Sequence, residues 1–305
     1  MTLQAAASRG KTAALAGIGM MVLGIFVFSV NDVMGKWLVA TYSVGEILLI
    51  RSVAALVVLA PLIWRTGLAA FRFAPHPWLQ LARVVLGSIE VAFFYWAVVY
   101  LPLADVMTYY LAGPIYVAAL AAPLLGERLD LRAVAAIALG FVGVLIALNP
   151  SASSLSWPAL IAVAGSIAFA FLMIVTRKLG GTSGVVLVTT QTIGALVLGA
   201  VLTPFGSTMP SGRDFGLMAL LGVVALVAHA CVNRALQLAP ASVVTPYQYT
   251  LIVWAVAFGW LVFGDVPHAS VLVGAGVIVA AGLLLFLAEQ RRALPPQSVQ
   301  ARPIE

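Results

Sequence analysis

101-LPLADVMTYYLAGPIYVAALAAPLLGERL-129 returns in outline as 239-APASVVTPYQYTLIVWAVAFGWLVFGDVP-267. Pro102 falls on Pro240, Val106 on Val244, Tyr109 on Tyr247, Ala119 on Ala257, Gly126 on Gly264 and Glu127 on Asp265. The same offset carried upstream sets Ala92 on Ala230 and Ala97 on Ala235. Near the start of each half, Lys36 can be set against Lys178 and, after a small loop gap, Arg51 against Gln191. Each match is weak alone; their common offset is the signal. The chain reads as two related halves.

The surroundings of the repeat are apolar. Of 305 residues, 63% are hydrophobic and 9% charged, where soluble domains carry about a quarter charged. A membrane is therefore the natural solvent. A transmembrane helix takes about 20 mostly apolar residues. Charge-free runs cover 12–31, 106–126, 133–176, 215–233, 235–264 and 266–288. The run 133–176 is interrupted by the turn cluster 150-PSASSLSWP-158 and reads as two helices. Adding 46–64, 84–101 and 183–203 predicts an all-α membrane protein with ten transmembrane helices. Residues 12–149 form the first five-helix repeat and 157–288 the second, with 1–11 and 289–305 as cytoplasmic tails. Five is odd, so the second repeat enters from the opposite face. Inverted repeats of this kind place a solute site near the midplane between the halves.

Basic residues orient the chain. With the N-terminus inside, Arg9, Lys11, Arg65, Arg72, Arg83, Arg128, Arg132, Arg177, Lys178, Arg234, Arg291, Arg292 and Arg302 fall on the cytoplasmic side. Only Lys36 and Arg213 fall outside. Both termini are thus expected in the cytoplasm of a multi-pass inner (plasma) membrane protein. The first apolar run is expected to be retained, because no short apolar core with a cleavage site precedes it. The net charge of +6 is scattered singly and gives no nucleic-acid patch. The lone Cys231 excludes a disulfide framework.

Some polar residues sit where oil is expected. Glu90 lies about 10 Å inside the third predicted helix, counting 1.5 Å per residue from Val84. Facing lipid, it would cost about 3 kcal/mol on insertion scales. It therefore faces the interior, as a cavity acid or as a hydrogen-bonded packing residue. His229 aligns one position from Glu90 in the repeat and points at the same central space if the halves are two-fold related. It is either a titrating cavity group or an interhelical hydrogen-bond partner. Asn233 follows it by one turn, and Tyr95 is its repeat partner. Tyr109, Tyr110 and Gly113, with Tyr247 and Trp254 in the other half, lie near Pro114 and Pro246. They are read either as cavity walls beside broken helices or as an interfacial belt. Asp32 with Lys36, and Glu46 with Arg51, read as ion pairs sealing an outer mouth; Arg51 meeting a substrate carboxylate is the sharper alternative.

With 29-SVNDVMGKWL-38, Arg51, 126-GERL-129, 264-GD-265 and 240-PASVVTPYQY-249, the chain resembles the drug/metabolite transporter superfamily with two EamA-type repeats, over about residues 14–288. The resemblance implies a cavity lined mainly by helices one, three, four, six, eight and nine. It implies transport of small organic solutes such as amino acids, S-adenosylmethionine, sugars or nucleotide-sugars. Broad-specificity amino-acid exporters, including aromatic ones, are nearest in kind. The Asn31–Asp32 and Pro246–Tyr247 regions are also similar to those of S-adenosylmethionine carriers. Asp265 stands where the pattern usually has Glu.

The expectation is a secondary transporter that works by alternating access as a monomer. It is expected to export amino acids or amino-acid-like metabolites, driven by the substrate gradient or by protons. Uptake of S-adenosylmethionine or another cationic metabolite is the alternative. A channel or an intramembrane enzyme is a third class. The sequence has no Walker loop or HExxH, and His76, His229 and His268 fall at different depths. No cofactor or metal is expected.

Overall fold

A computed structural model describes residues 3–101, 103–127, 131–148, 156–205, 208–263 and 269–292, and every element in them is helical. In chain order these are α1 (Leu3–Val39), α2 (Val44–Thr66), the single turn α3 (Ala69–Arg72), α4 (Pro77–Tyr100), α5 (Leu103–Leu111), α6 (Gly113–Leu125) and α7 (Leu131–Leu148). There follow α8 (Trp157–Lys178), α9 (Gly184–Leu202), α10 (Gly212–Leu238), α11 (Ala241–Val244), α12 (Leu251–Phe263) and α13 (Ala269–Arg292). Among the described residues six helices are long and apolar enough to cross a membrane: α2, α4, α8, α9, α10 and the part of α1 from Thr12 to Val39.

Local chemistry sets the ends. Ser43 caps α2 by accepting from the Glu46 N–H at 3.2 Å, and Ser211 caps α10 by accepting from the Asp214 N–H at 3.1 Å. Each helix then carries an acid in its first turn, which suits the positive end of the helix dipole. Pro77 and Pro158 occupy first-turn positions where a missing N–H is harmless. Gly67 and Gly126 end α2 and α6 with φ of 78° and 67°, which other residues adopt only under strain.

Two expected spans are broken in the middle. The fourth stops at Ala112 and restarts as α6 at Gly113, next to Pro114. The ninth passes from α11 through a 3₁₀ stretch, Thr245–Thr250, that contains Pro246, and restarts as α12 at Leu251. Proline lacks the N–H that would continue the ladder. Gly113 and Leu251 are related by the same offset as the sequence repeat.

The helices pack reciprocally. α1 lies against α10, and α4 against α8; α2 contacts α10, and α4 contacts α9. α2 pairs with α9, and α7 with α13. Small residues allow the close crossings. A Cβ on Gly222 would collide with the backbone of Arg51, and one on Gly199 would lie 2.6 Å from the Leu49 nitrogen. Ile18, Met21 and Ile25 of α1 pack with Met173 and Ile174 of α8 and Val232 and Leu236 of α10. The outer surface is apolar: Val57, Val58, Leu62, Val197, Val201, Leu283 and Leu284 are exposed. Trp37, Trp64, Trp78 and Trp157 are exposed at or near helix ends, the depth at which tryptophan anchors a bilayer surface.

Two boundaries differ from the sequence reading. α1 begins at Leu3 and α13 runs to Arg292, so helix enters both expected tails. Ala5–Ala7 at one end and 287-LAEQRR-292 at the other are good helix formers. Arg83, counted above among the cytoplasmic cations, lies inside α4 and is 1% exposed. The junction Gly264–Asp265, His268, Arg128, the turn at 150–155 and the tail 293–305 with Arg302 lie outside the described residues.

Glu127 ties the halves together. Its carboxylate accepts from the Ala241 and Ser242 N–H groups, each at 3.0 Å, and from the Ser242 hydroxyl at 2.7 Å. Arg177 of α8 pairs with it at 3.5 Å and donates to the Leu236 carbonyl at 2.7 Å. Charged hydrogen bonds contribute about 1.5–3 kcal/mol each when their partners are otherwise buried. The Glu127 and Arg177 side chains are partly exposed, so water replaces most of these bonds in Glu127→Ala and the net loss is about 2 kcal/mol. This is expected to lower the melting temperature of the purified protein by roughly 5 °C, at about 2–4 °C per kcal/mol. A scanning fluorimetry curve that superposes on wild type would contradict this.

Candidate solute-binding cavity

Helices of both halves enclose one central cavity. α1 contributes Ile25, Phe28, Asn31 and Asp32; α2 contributes Arg51; α4 contributes Glu90, Val91, Phe94 and Tyr95. α5 adds Met107, Tyr110 and Leu111, α8 adds Phe169, and α10 adds Ala225 and His229. Gln248 of the 3₁₀ stretch and Leu251 of α12 complete the wall. The atom-free space is about 700 Å³, counting the open solvent at its mouth. Only about 70 Å³ of it can hold the centre of a water molecule. That is room for a few waters.

The aromatic walls are ordered by ring contacts. Phe94 meets Tyr95 edge-on at 5.5 Å and Tyr110 at 5.3 Å. Tyr110 lies 6.2 Å from Phe169, and Phe28 meets the His229 ring at 4.9 Å. Such pairs favour offset or edge geometry because ring edges are positive and faces negative. The Tyr95 ring fits against Gly35, where a Cβ would stand 2.6 Å from the ring.

Three ionisable groups share this apolar shell. Arg51, 5% exposed, donates from Nη1 to the Tyr95 hydroxyl at 3.0 Å, with its guanidinium 5.5 Å from that ring's centre. Asp32 accepts from the Asn31 amide at 3.2 Å. Glu90 lies within electrostatic reach of both Asp32 and Arg51, and its backbone carbonyl accepts from the Tyr110 hydroxyl at 3.3 Å. Among the described residues, neither carboxylate is within ion-pair distance of Arg51. Asn31 Oδ1 and Gln248 Nε2 are buried at the same wall with no protein partner among the described residues. Buried polar atoms normally find a partner, so these two stand out at this wall.

The residues singled out from the sequence are distributed as follows. Asp32, Arg51, Glu90, Tyr95, Tyr110 and His229 line the cavity. Gly113 lies just behind it, where a Cβ would come 3.5 Å from Gln248 Oε1. Tyr109, Tyr247 and Trp254 are outside the lining. Tyr247 and Trp254 pack into the apolar cluster against α1, with Trp254 edge-on to Phe26 at 4.9 Å. Tyr109 packs at the border of the Phe94 cluster. Helical spacing alone could not separate the faces of a helix that breaks. Glu46 accepts from the Thr208 N–H at 3.2 Å, and Lys36 occupies the last turn of α1; neither lines the cavity.

Asn233 belongs to a different constellation, which sequence reasoning missed. Arg83 of α4 donates from Nε to the Thr176 hydroxyl at 3.0 Å and from Nη1 to the Leu187 carbonyl at 2.7 Å. Nη1 also reaches Gln191 Oε1 at 3.4 Å, and Nη2 donates to Asn233 Oδ1 at 3.0 Å. One guanidinium thus joins α4, α8, α9 and α10. In the sequence Arg83 stands at the start of an apolar run, where a loop cation and a buried one look alike. Phe28, Phe94, Phe169 and Gln248 were also missed. Phe94 follows Glu90 by one turn, which is the spacing that could have found it.

The chain matches a model of the EamA-like transporter family twice, at residues 15–149 and 156–287. Among its relatives is a riboflavin transporter of Rhizobium johnstonii, 29% identical over 93% of this chain and 95% of its own. A pseudopaline exporter of Pseudomonas aeruginosa is 28% identical over 88% of this chain and 95% of its own. An S-adenosylmethionine uptake transporter of Rickettsia felis is 24% identical over 91% and 94%. One solved crystal structure overlays with a TM-score of 0.72 over 92% of this chain and 98% of that one, at 17% identity, a likeness of fold alone. A multi-pass helical bundle around a central cavity and two consecutive family matches agree on one conclusion: the chain belongs to the EamA-like transporter family.

Proposed function

We propose that the protein is a secondary carrier of the inner (plasma) membrane, with ten spans in two five-helix halves of opposite orientation and both termini in the cytoplasm. The reciprocal pairings of α1 with α10 and α8 with α4 support the two-fold relation. So does the common register of the two helix breaks. The halves rock about the cavity and open it to each side in turn. The solute is an amino acid or an amino-acid-like metabolite with a planar or apolar part, and export is the direction tested first. One observation carries this reading: a single cavity, walled by aromatic rings from both halves, holds two carboxylates and a guanidinium. Such a lining fits a solute that is amphoteric at one end and apolar at the other.

A second reading has its own support. Two acids face one guanidinium, and ring faces attract cations. Uptake of S-adenosylmethionine or another cationic metabolite fits that balance, and several relatives bear that name. Reconstitution into proteoliposomes separates the two. Purified protein would be loaded with L-phenylalanine, L-tryptophan, L-arginine, S-adenosylmethionine or riboflavin. Counterflow would then be followed with and without a pH gradient. Saturable counterflow of an amino acid supports the first reading, and dominance of S-adenosylmethionine the second. Conductance without saturation points to a channel and overturns both.

A further inference from the structure

A second, smaller compartment lies beside the main cavity between α2, α9 and α10, with about 360 Å³ of atom-free space counting open solvent. In this state it has room for about one water, the size of a carboxylate oxygen. Arg51, Val91, Ala225 and His229 line both compartments. Its other polar lining is Ser52 of α2 and Gln191 and Thr192 of α9. Among the described residues no carboxylate lines it, whereas the main cavity holds both Asp32 and Glu90. Charge is therefore segregated across the shared wall: acids lie on the α1 and α4 side, and donors and the guanidinium on the α2 and α9 side.

The groups facing the small compartment are built in rather than incidental. Arg51 and Gln191 are each 5% exposed and Ser52 is 2% exposed. A guanidinium has five N–H donors. Among the described residues, only the Tyr95 hydroxyl accepts from Arg51. Ser52 Oγ has no protein partner among the described residues. A buried cation with unused donors is costly unless an anion meets it. The backbone fixes its place, because the absent side chain of Gly222 lets α10 close onto Arg51. Arg51 and Gln191 are also the two positions that the repeat sets against each other.

We propose that this compartment is an anion subsite that holds the carboxylate of the transported solute. Arg51 meets the carboxylate with its planar fork, with Ser52 and Gln191 beside it, while the ammonium and the apolar part stay in the main cavity near Glu90, Asp32 and the rings. The subsite rests on the carrier reading above. It suits either substrate class there, since amino acids and S-adenosylmethionine share the same zwitterionic group.

The test compares matched pairs. L-phenylalanine and L-phenylalaninamide, and L-tryptophan and L-tryptophanamide, would compete against the best counterflow substrate in proteoliposomes of the wild type, Arg51→Gln and Ser52→Ala. The acid is expected to compete at least tenfold better than its amide in the wild type. In Arg51→Gln the ratio falls to about one, through loss of affinity for the acid. Ser52→Ala, a smaller change that keeps the fold, lowers the ratio about threefold and leaves the amide unchanged. Equal competition by acid and amide in the wild type overturns the subsite. So does an intact ratio in monodisperse Arg51→Gln, or a best substrate that has no acid group. Protection by chloride or sulfate with no acid–amide difference assigns the compartment to a free inorganic anion and also overturns the proposal. Absence of any saturable flux in the wild type instead defeats the carrier reading itself.

Discussion

Arg83→Ala is expected to be the most damaging single substitution in the molecule. The guanidinium is 1% exposed and connects four helices through Thr176, Leu187, Gln191 and Asn233. Removing it leaves the Thr176 hydroxyl, Gln191 Oε1 and Asn233 Oδ1 facing a void. Each buried acceptor left unmet costs about 1–3 kcal/mol, so the loss is roughly 3 kcal/mol or more. At about 2–4 °C per kcal/mol, melting should fall by roughly 10 °C, with lower yield of monodisperse protein. Arg83→Lys keeps the charge but not the fork, so it should recover only part of the loss. Wild-type melting in Arg83→Ala would show that the network contributes little.

Glu90→Gln is expected to act on function rather than on folding. The change keeps shape and removes one charge beside Asp32. If the carboxylate meets a substrate ammonium, a charged hydrogen bond of about 1.5–3 kcal/mol is lost, which is tenfold or more in affinity. Competition by amino acids should weaken by at least that factor, while a neutral solute such as riboflavin is unaffected. Melting should stay within about 2 °C of wild type, since the side chain keeps its shape and no packing is lost. Unchanged amino-acid competition would remove Glu90 from the site.

Much of this architecture was legible because a bilayer imposes so simple a rule. Apolar runs of helical length, separated by basic or turn residues, left few choices. The helices α2, α4, α8, α9 and α10 therefore lie where the hydropathy put them. Intramembrane charge was equally informative. Glu90 and His229, read as groups of the central space, line one cavity, because no buried ionisable group can face lipid cheaply. Asp32 and Arg51, read as ion-pair members at an outer mouth, line the same cavity. The failures have the opposite cause. Tyr109, Tyr247 and Trp254 are apolar enough to pack anywhere, and the helix breaks at Ala112 and Pro246 rotate their faces out of the simple register. Arg83 looked like a topology signal because a snorkelling cation and a buried one have the same sequence context. Its acceptors come from three other helices, and nothing local announces them. Gln248 likewise acquires its position only from the 3₁₀ stretch.

The central claim is that solute crosses through the cavity between the halves. Val91 lines both of its compartments, so Val91→Trp should fill the space where they join. The decisive measurement is counterflow of the best substrate in proteoliposomes of wild-type and Val91→Trp protein, both checked for monodispersity. Saturable flux is expected in the wild type, with loss by at least tenfold in the filled variant. Wild-type flux through folded Val91→Trp protein would contradict it.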